Sequence, residues 1–136
     1  MQVKYNTSAH SVYRIDLHVI FVTKFRRKCL SDAMLSDLRE IILQTLLLWN
    51  CELTQFGGES DHIHMLIGIH PAAQISKLVN HLKSISSRKM RALYTKELRH
   101  FYWIPVLWSG SYFVCSTGGA PMTIIKQYIE QQVEFA

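Results

Sequence analysis

The stretch DHIHMLIGI at residues 61–69 decides the fold, because its pattern is that of a half-buried β-strand. Successive side chains of a strand point to opposite faces. Ile63, Met65 and Ile67 therefore share an apolar face suited to a core. His62 and His64 share the other face, with imidazoles about 7 Å apart along the strand. Two imidazoles on one rigid element can bind a divalent metal if a third ligand comes from elsewhere. The alternative interpretation is a strand with two polar residues on its wetter face.

The elements around this strand follow from the periodicity of apolar residues. Residues 13–21 alternate as a first strand, and a first helix begins after an N-cap at Ser31 and runs to about Asn50. Residues 51–56 form a weaker strand that ends at residues 57–58 and makes a hairpin with the histidine strand. Pro71 opens a second helix, and the aromatic-rich residues 103–113 supply the last strand.

This order predicts an α+β fold in a single domain that spans residues 1–136. Strands and helices alternate as βαββαβ, the ferredoxin-like or RRM-like arrangement of an antiparallel sheet with helices on one face. The other face is then available for DNA or for a partner subunit.

An extra C-terminal helix is predicted after this core. Pro121 follows two glycines, which is a typical helix entry, and an apolar stripe then recurs at helical spacing. Tyr128 and Gln132 are four residues apart and lie side by side on this helix. Taken alone, such a tyrosine is more often a packing residue than a nucleophile. It gains interest here because a candidate metal-binding pair exists elsewhere in the chain.

The charge of the chain favours a polyanionic partner. The formal net charge is +5 over 136 residues. Acidic residues are absent between positions 74 and 93, so DNA contact is favoured over a solvated helix face for the basic side chains there. Several aromatic residues could stack on unpaired bases, although core packing is the expected fate of most of them. The predicted DNA-contacting residues form two clusters: Lys24, Arg26, Arg27 and Lys28, then Lys83, Arg88, Lys89 and Arg91.

The cysteines and the hydropathy indicate a cytoplasmic location. Cys29, Cys51 and Cys115 are scattered and odd in number, with no paired spacing of the kind that binds structural zinc. They are expected to be reduced thiols. The sequence shows neither a basic leader followed by an apolar run nor a long uncharged apolar segment. Neither export nor a membrane span is therefore expected.

The chain resembles the single-tyrosine HUH-class transposases (His, hydrophobic residue, His), which mobilise insertion sequences through single-stranded DNA. The matching blocks keep the order of the family and extend from about Tyr13 to near the C-terminus. They are KFRRK (24–28), GGESDHIH (57–64), LKSISSR (82–88), WSGSYF (108–113), GG (118–119) and YIEQQ (128–132).

The resemblance implies a metal-dependent transposase that cleaves and rejoins DNA through a covalent phosphotyrosine. Tyr128 would be the nucleophile, linked to the 5′ end with a free 3′-hydroxyl left behind. His62, His64 and the Gln132 amide oxygen would bind Mg²⁺ or Mn²⁺. Asp61 is expected to point away from the histidines on the strand and to lie outside the site.

The resemblance also implies partners. They are single-stranded DNA with hairpin ends and a second copy of the chain, in a homodimer whose tyrosine helices complete each other's active sites. Gly118 and Gly119 would be the hinge for that exchange, or simply the turn before the helix.

Three other functions stay open. A domesticated relative would process repetitive extragenic hairpins without moving an element of its own. A noncatalytic single-strand binding module would have no need for Tyr128, Gln132 and both histidines together. A metal-dependent hydrolase would use water as its nucleophile and form no covalent protein–DNA adduct.

Overall fold

The computed structural model of the chain describes residues 5–8, 11–116 and 127–130. A 3-10 turn, Lys24–Arg26, follows the third strand, and residues 127–130 are helical. In chain order the strands and α-helices are β1 (Asn6–Ser8), β2 (Ser11–Tyr13), β3 (Asp16–Val22), α1 (Asp32–Leu48), β4 (Glu52–Glu59), β5 (His62–Gly68), α2 (Ile75–Leu93), α3 (Thr95–Arg99) and β6 (Phe113–Ser116).

Four strands form one antiparallel sheet in the order β4-β5-β3-β6. The inner strand β3 pairs with β5 on one side and with β6 on the other, so that Ile20 faces both His64 and Phe113. Strands β4 and β5 form a hairpin. The order β3-α1-β4-β5-α2-β6 is the predicted βαββαβ arrangement, and the fold prediction is confirmed. Strands β1 and β2 form a separate two-stranded sheet that the sequence did not predict.

The core lies between one face of this sheet and the helices α1 and α2. Ile63, Met65 and Ile67 of β5 are each at most 1% exposed. They belong to one apolar cluster with helix residues that include Leu38, Ile42, Leu78, Val79 and Leu82. Burial of one such side chain contributes roughly 1.5–3 kcal/mol. A register shift of one residue in β5 would expose all three, so burial of this face fixes both histidines on the opposite one.

The two long helices differ in how well the sequence predicted their starts. Ser31 caps α1 as predicted, because its Oγ accepts a hydrogen bond from the Met34 backbone N–H at 3.2 Å. Helix α2 begins at Ile75 rather than at Pro71. The backbone N–H groups of Ala72 and Ala73 donate to His70 and close a turn before the helix. In the described ranges, no helix combines the length and the apolar character that a membrane span needs.

The aromatic segment at residues 103–113 is not the strand that the sequence predicted. Strand β6 starts only at Phe113, and Trp108 forms a single isolated bridge with Thr23. The buried Trp108 donates its indole N–H to Ser86 Oγ at 2.9 Å, and its ring lies 5.5 Å from the ring of Phe21. Through these side-chain contacts Trp108 attaches the segment to β3 and α2. Its ring therefore packs in the core and does not mark a strand.

Candidate active site

The histidine pair lies on the face of the sheet opposite α1 and α2, as predicted. The ring centroids of His62 and His64 are 6.0 Å apart, with 30° between the ring planes. The His62 residue is buried, whereas His64 is exposed. A ring nitrogen coordinates a divalent metal at about 2 Å, so one ion between the rings is compatible with this separation.

Gly57 makes room for the His64 ring. The two residues are directly paired across β4 and β5. A Cβ atom at position 57 would lie 2.5 Å from His64 Nε2 and 2.8 Å from Cε1. The sequence predicted that β4 ends at residues 57–58, but the strand continues to Glu59. Gly57 is therefore a strand residue whose missing side chain leaves space for the His64 imidazole, and it is not a turn residue.

The environment of His64 favours a neutral imidazole. Partial desolvation of the ring lowers the pKa of His64, and the nearby His62 and His18 lower it further. Together these effects outweigh the opposite effect of Glu59. A neutral imidazole keeps a nitrogen lone pair that can bind a metal ion. His64 is thus suited to coordination at neutral pH.

The prediction that Asp61 points away from the histidines is wrong. Asp61 lies in the turn before β5, where strand alternation does not hold. Its Oδ1 is 2.8 Å from His62 Nδ1, and its Oδ2 accepts a hydrogen bond from Arg26 Nε at 3.0 Å. Burial alone would raise the pKa of the Asp61 carboxyl, but the contacts with His62 and Arg26 lower it below its ordinary value. The side chain is therefore a carboxylate at neutral pH.

An additional donor, which the sequence analysis missed, lies beside His62. Glu59 is the direct cross-strand partner of His62. Donor atoms of Glu59, Asp61 and His62 all lie within 4.8 Å of one another. Imidazole nitrogen and carboxylate oxygen together suit Mn²⁺ and tolerate Mg²⁺, so the residues fit the predicted metal. Only the exact register of the hairpin brings Glu59 here, and the sequence pattern does not supply that register.

The predicted nucleophile lies on the same face of the sheet. Residues 127–130 are helical, and Ile129 packs against Ile20 and Val22 of β3. These two residues are the direct cross-strand partners of His64 and His62. Side chains directly opposite each other in an antiparallel pair share a face. The segment therefore packs beside the histidine pair of its own chain.

The hydroxyl of Tyr128 has a defined partner. Tyr128 Oη is 3.1 Å from Ser111 Oγ, and the Tyr128 ring centroid is 5.3 Å from that of Phe113. Burial raises the pKa of Tyr128 above its ordinary value, and the hydrogen bond with Ser111 offsets part of that increase. The phenol is therefore protonated at neutral pH.

Three of the predicted DNA-contacting cations have partners within the protein. Arg26 binds Asp61, and Lys83 Nζ donates to the Ser109 carbonyl oxygen at 2.7 Å. Arg91 Nε donates to Ser87 Oγ at 3.2 Å. Lys83 therefore holds the loop that carries Ser111, a use that the sequence did not predict. Among the ion pairs of the described residues, Arg26 is the one member of either basic cluster that faces a carboxylate.

The first basic cluster surrounds an exposed aromatic ring. Phe25 lies between Lys24, whose Nζ is 5.2 Å from the ring centroid, and Arg27, whose Cζ is 5.9 Å from it. Lys28, Arg88 and Lys89 are also exposed. The predicted ligand Gln132 and the predicted hinge at Gly118 and Gly119 lie outside the described residues.

Comparison with known proteins identifies the family of the chain. The family model "Transposase IS200 like" matches residues 11–132. The ISDra2 transposase TnpA of Deinococcus radiodurans is 28% identical over 121 residues, which are 89% of this chain and 86% of that protein. The transposase for insertion sequence element IS200 of Salmonella typhimurium is 30% identical over 130 residues, or 93% and 82% of the two chains.

Solved structures show the same fold. A candidate transposase of Deinococcus radiodurans superposes with a TM-score of 0.85 at 30% identity, covering 93% of this chain and 97% of that one. The REP-associated tyrosine transposase bound to a REP hairpin superposes with a TM-score of 0.52 at 12% identity, over 91% and 69%. With a family match across most of its length, the chain belongs to the IS200-like transposase family.

Proposed function

We propose that the chain cleaves and rejoins single-stranded DNA at insertion-sequence ends through a covalent 5′-phosphotyrosine on Tyr128. Membership of the family supports the transposase role. The observation that carries the finer proposal is the packing of Ile129 on Ile20 and Val22. This packing lies next to the histidine pair, so the proposed nucleophile and the proposed metal ligands share one face of one sheet.

The cleavage step moves one phosphodiester bond from DNA to protein. Tyr128 Oη forms a bond to the scissile phosphorus, and the bond from phosphorus to the 3′ oxygen breaks. The phenol loses its proton, and the leaving oxygen gains one to become a free 3′-hydroxyl. The new phosphotyrosine keeps a phosphodiester, so a 3′-hydroxyl can attack it later and rejoin the DNA without an external energy source.

His62 and His64 would hold a divalent ion, Mg²⁺ or Mn²⁺, with Glu59 and the predicted ligand Gln132 as oxygen donors. Such an ion would draw charge from a nonbridging oxygen of the scissile phosphate. The Tyr128 phenol starts protonated, because burial raises its pKa. Its proton must therefore leave during attack, and a hydrogen bond donated by Ser111 Oγ, 3.1 Å away, would stabilise the phenolate that forms.

The basic side chains would bind the DNA backbone. The cations of the two clusters that suit phosphate contact are Lys24, Arg27, Lys28, Arg88 and Lys89, since Arg26, Lys83 and Arg91 have partners within the protein. Phe25 is exposed between two of them, which suits contact with an unpaired base.

The hairpin ends and the homodimer with shared active sites are proposals that rest on the family resemblance. Sharing would require the tyrosine helix to leave the packing of Ile129 on its own chain and to form it on the partner subunit. Light scattering on the purified chain tests the homodimer, with a monomer mass as the contrary result.

The proposed function predicts a strong preference for single strands. Oligonucleotides that tile the DNA flanking the gene, tested one strand at a time with Mg²⁺, should include one strand that is cleaved. The same sequence in duplex should be cleaved at least about tenfold more slowly, because the scissile phosphate and its bases must be accessible. Binding should weaken as salt rises, because cation–phosphate contacts release counterions. Equal cleavage of the duplex and the single strand would reject the proposal.

Gly57→Ala should impair the site while leaving the fold intact. The added Cβ meets the His64 ring at 2.5 Å, and a side chain can move away where a backbone cannot. We expect Mn²⁺ affinity and cleavage rate each to fall by about 10- to 100-fold with a small change in melting temperature.

Gly110→Ala is the matched control, because a Cβ at that position meets nothing within 4 Å. Mn²⁺ titration, cleavage rates and thermal melting of both variants make the comparison. If Gly57→Ala matches Gly110→Ala in Mn²⁺ affinity, cleavage rate and melting temperature, the position of the His64 ring over Gly57 does not matter for metal binding or cleavage.

A further inference from the structure

The turn after β3 is built in an unusual way. Phe25 and Arg26 have φ values of 56° and 54°, in the left-handed region that residues with side chains seldom adopt. Such a residue is strained and persists only where its surroundings hold it. Contacts with the rest of the fold must therefore hold Arg26 in this backbone conformation.

Hydrogen bonds fix this turn to the start of β5. The Thr23 backbone N–H donates to the Asp61 carbonyl oxygen at 2.9 Å. The Thr23 hydroxyl donates to the carbonyl oxygens of Arg27, at 2.7 Å, and of Asp61, at 3.1 Å. The turn is also held from the other side, because the Tyr102 hydroxyl donates to the Lys24 carbonyl oxygen at 2.6 Å.

The result is a chain of contacts that ends at a histidine. Arg26 Nε donates to Asp61 Oδ2 at 3.0 Å, and Asp61 Oδ1 lies 2.8 Å from His62 Nδ1. The Asp61 side chain is only 8% exposed. An ionised carboxylate can only accept hydrogen bonds, so the proton of His62 lies on Nδ1. In the neutral ring that binds a metal, the lone pair is then on Nε2, the nitrogen away from Asp61.

We propose that Asp61 and Arg26 are positioning residues that fix the ring orientation and the tautomer of His62 for metal binding. The inference rests on the proposed function, in which His62 is a metal ligand. Asp61 acts on the ring directly, and Arg26 acts through Asp61. A histidine ligand commonly donates its other N–H to a carboxylate in this way, and loss of such a partner costs about 10- to 100-fold in metal affinity.

The competing assignment makes Asp61 itself a metal ligand, because its donor atoms cluster with those of Glu59 and His62. The contacts favour the positioning role. Both Asp61 oxygens are already engaged, one by Arg26 and one by His62. Direct coordination would have to use the second lone pair of an oxygen that already accepts one of these contacts.

The test measures Mn²⁺ binding by electron paramagnetic resonance, without DNA, for single and double variants. Asp61→Ala should weaken binding by about 10- to 100-fold, and Arg26→Ala should weaken it less. The double variant should bind no more weakly than Asp61→Ala, because Arg26 acts only through Asp61. Arg27→Ala is the control, since it removes a cation of the same turn that does not contact Asp61, and it should bind Mn²⁺ like the wild type.

Two outcomes overturn the proposal in this assay. Additive losses in the double variant would show that Arg26 acts independently of Asp61. Unchanged Mn²⁺ affinity in Asp61→Ala, at whatever melting temperature, would show that the carboxylate has only a structural role.

A spectroscopic arm needs neither metal nor a variant that folds. In ¹⁵N-histidine NMR spectra of the metal-free wild type, recorded at a pH where the His62 ring is neutral, the proton of the ring should lie on Nδ1 and not on Nε2. The opposite tautomer would refute the inference even if every variant fails to fold. The proposed function fails separately, if the wild-type chain shows this tautomer and yet forms no covalent adduct with DNA.

Discussion

Tyr128→Phe is expected to abolish DNA cleavage while leaving DNA binding intact. The substitution removes only the hydroxyl that would attack phosphorus, so the cleavage rate should fall by at least about 10³-fold. The ring keeps its contact with Phe113 at 5.3 Å. The lost hydrogen bond with Ser111 costs about 1 kcal/mol of stability. Cleavage rates on a labelled single strand and binding by fluorescence anisotropy measure the two effects.

Ser111→Ala is the matched control for this variant. It removes the same 3.1 Å hydrogen bond but keeps the phenol. We expect its cleavage rate to stay far above that of Tyr128→Phe, with comparable DNA binding. Cleavage by Tyr128→Phe at the wild-type rate would eliminate Tyr128 as the nucleophile.

The second large effect is expected for the histidine pair. His62→Ala and His64→Ala should each lower metal-dependent cleavage by at least about 100-fold, because each removes a proposed metal ligand. Both rings lie on the face opposite the main core, so cooperative thermal unfolding should be retained. Rates across a Mn²⁺ titration, together with melting curves, test this expectation.

His100→Ala provides a control of the same residue type. His100 is an exposed residue at the C-terminal end of α3, and its ring contacts Phe101. Its substitution should leave metal-dependent cleavage near the wild-type rate. If both site variants instead lose cooperative folding and any soluble fraction binds Mn²⁺ normally, the pair has a structural role.

The parts of the fold that the sequence predicted depend on local patterns. Alternation along β5 correctly placed Ile63, Met65 and Ile67 in the core and both histidines outside it. Ser31 was identified as an N-cap because the capping contact spans only a few residues. Such features need no knowledge of which strands are neighbours.

The parts that the sequence did not predict depend on contacts between distant segments. Gly57 looked like a turn residue, and only its pairing with His64 shows why glycine is there. Arg26 looked like a phosphate contact, although its partner is Asp61. Alternation was extended to Asp61, but that residue lies in the turn, where its carboxylate reaches His62.

The most direct test of the central claim is the capture of a covalent adduct. The wild-type chain is incubated with Mg²⁺ and the cleaved strand, labelled at one end or at the other, and is then denatured. The account predicts that the 3′-end label migrates with the protein and that the 5′-end label appears on a shorter strand with an extendable 3′-hydroxyl. Peptide mapping should place the linked nucleotide on Tyr128. Cleavage without an adduct, an adduct with the 5′-end label, or attachment to another residue would contradict it.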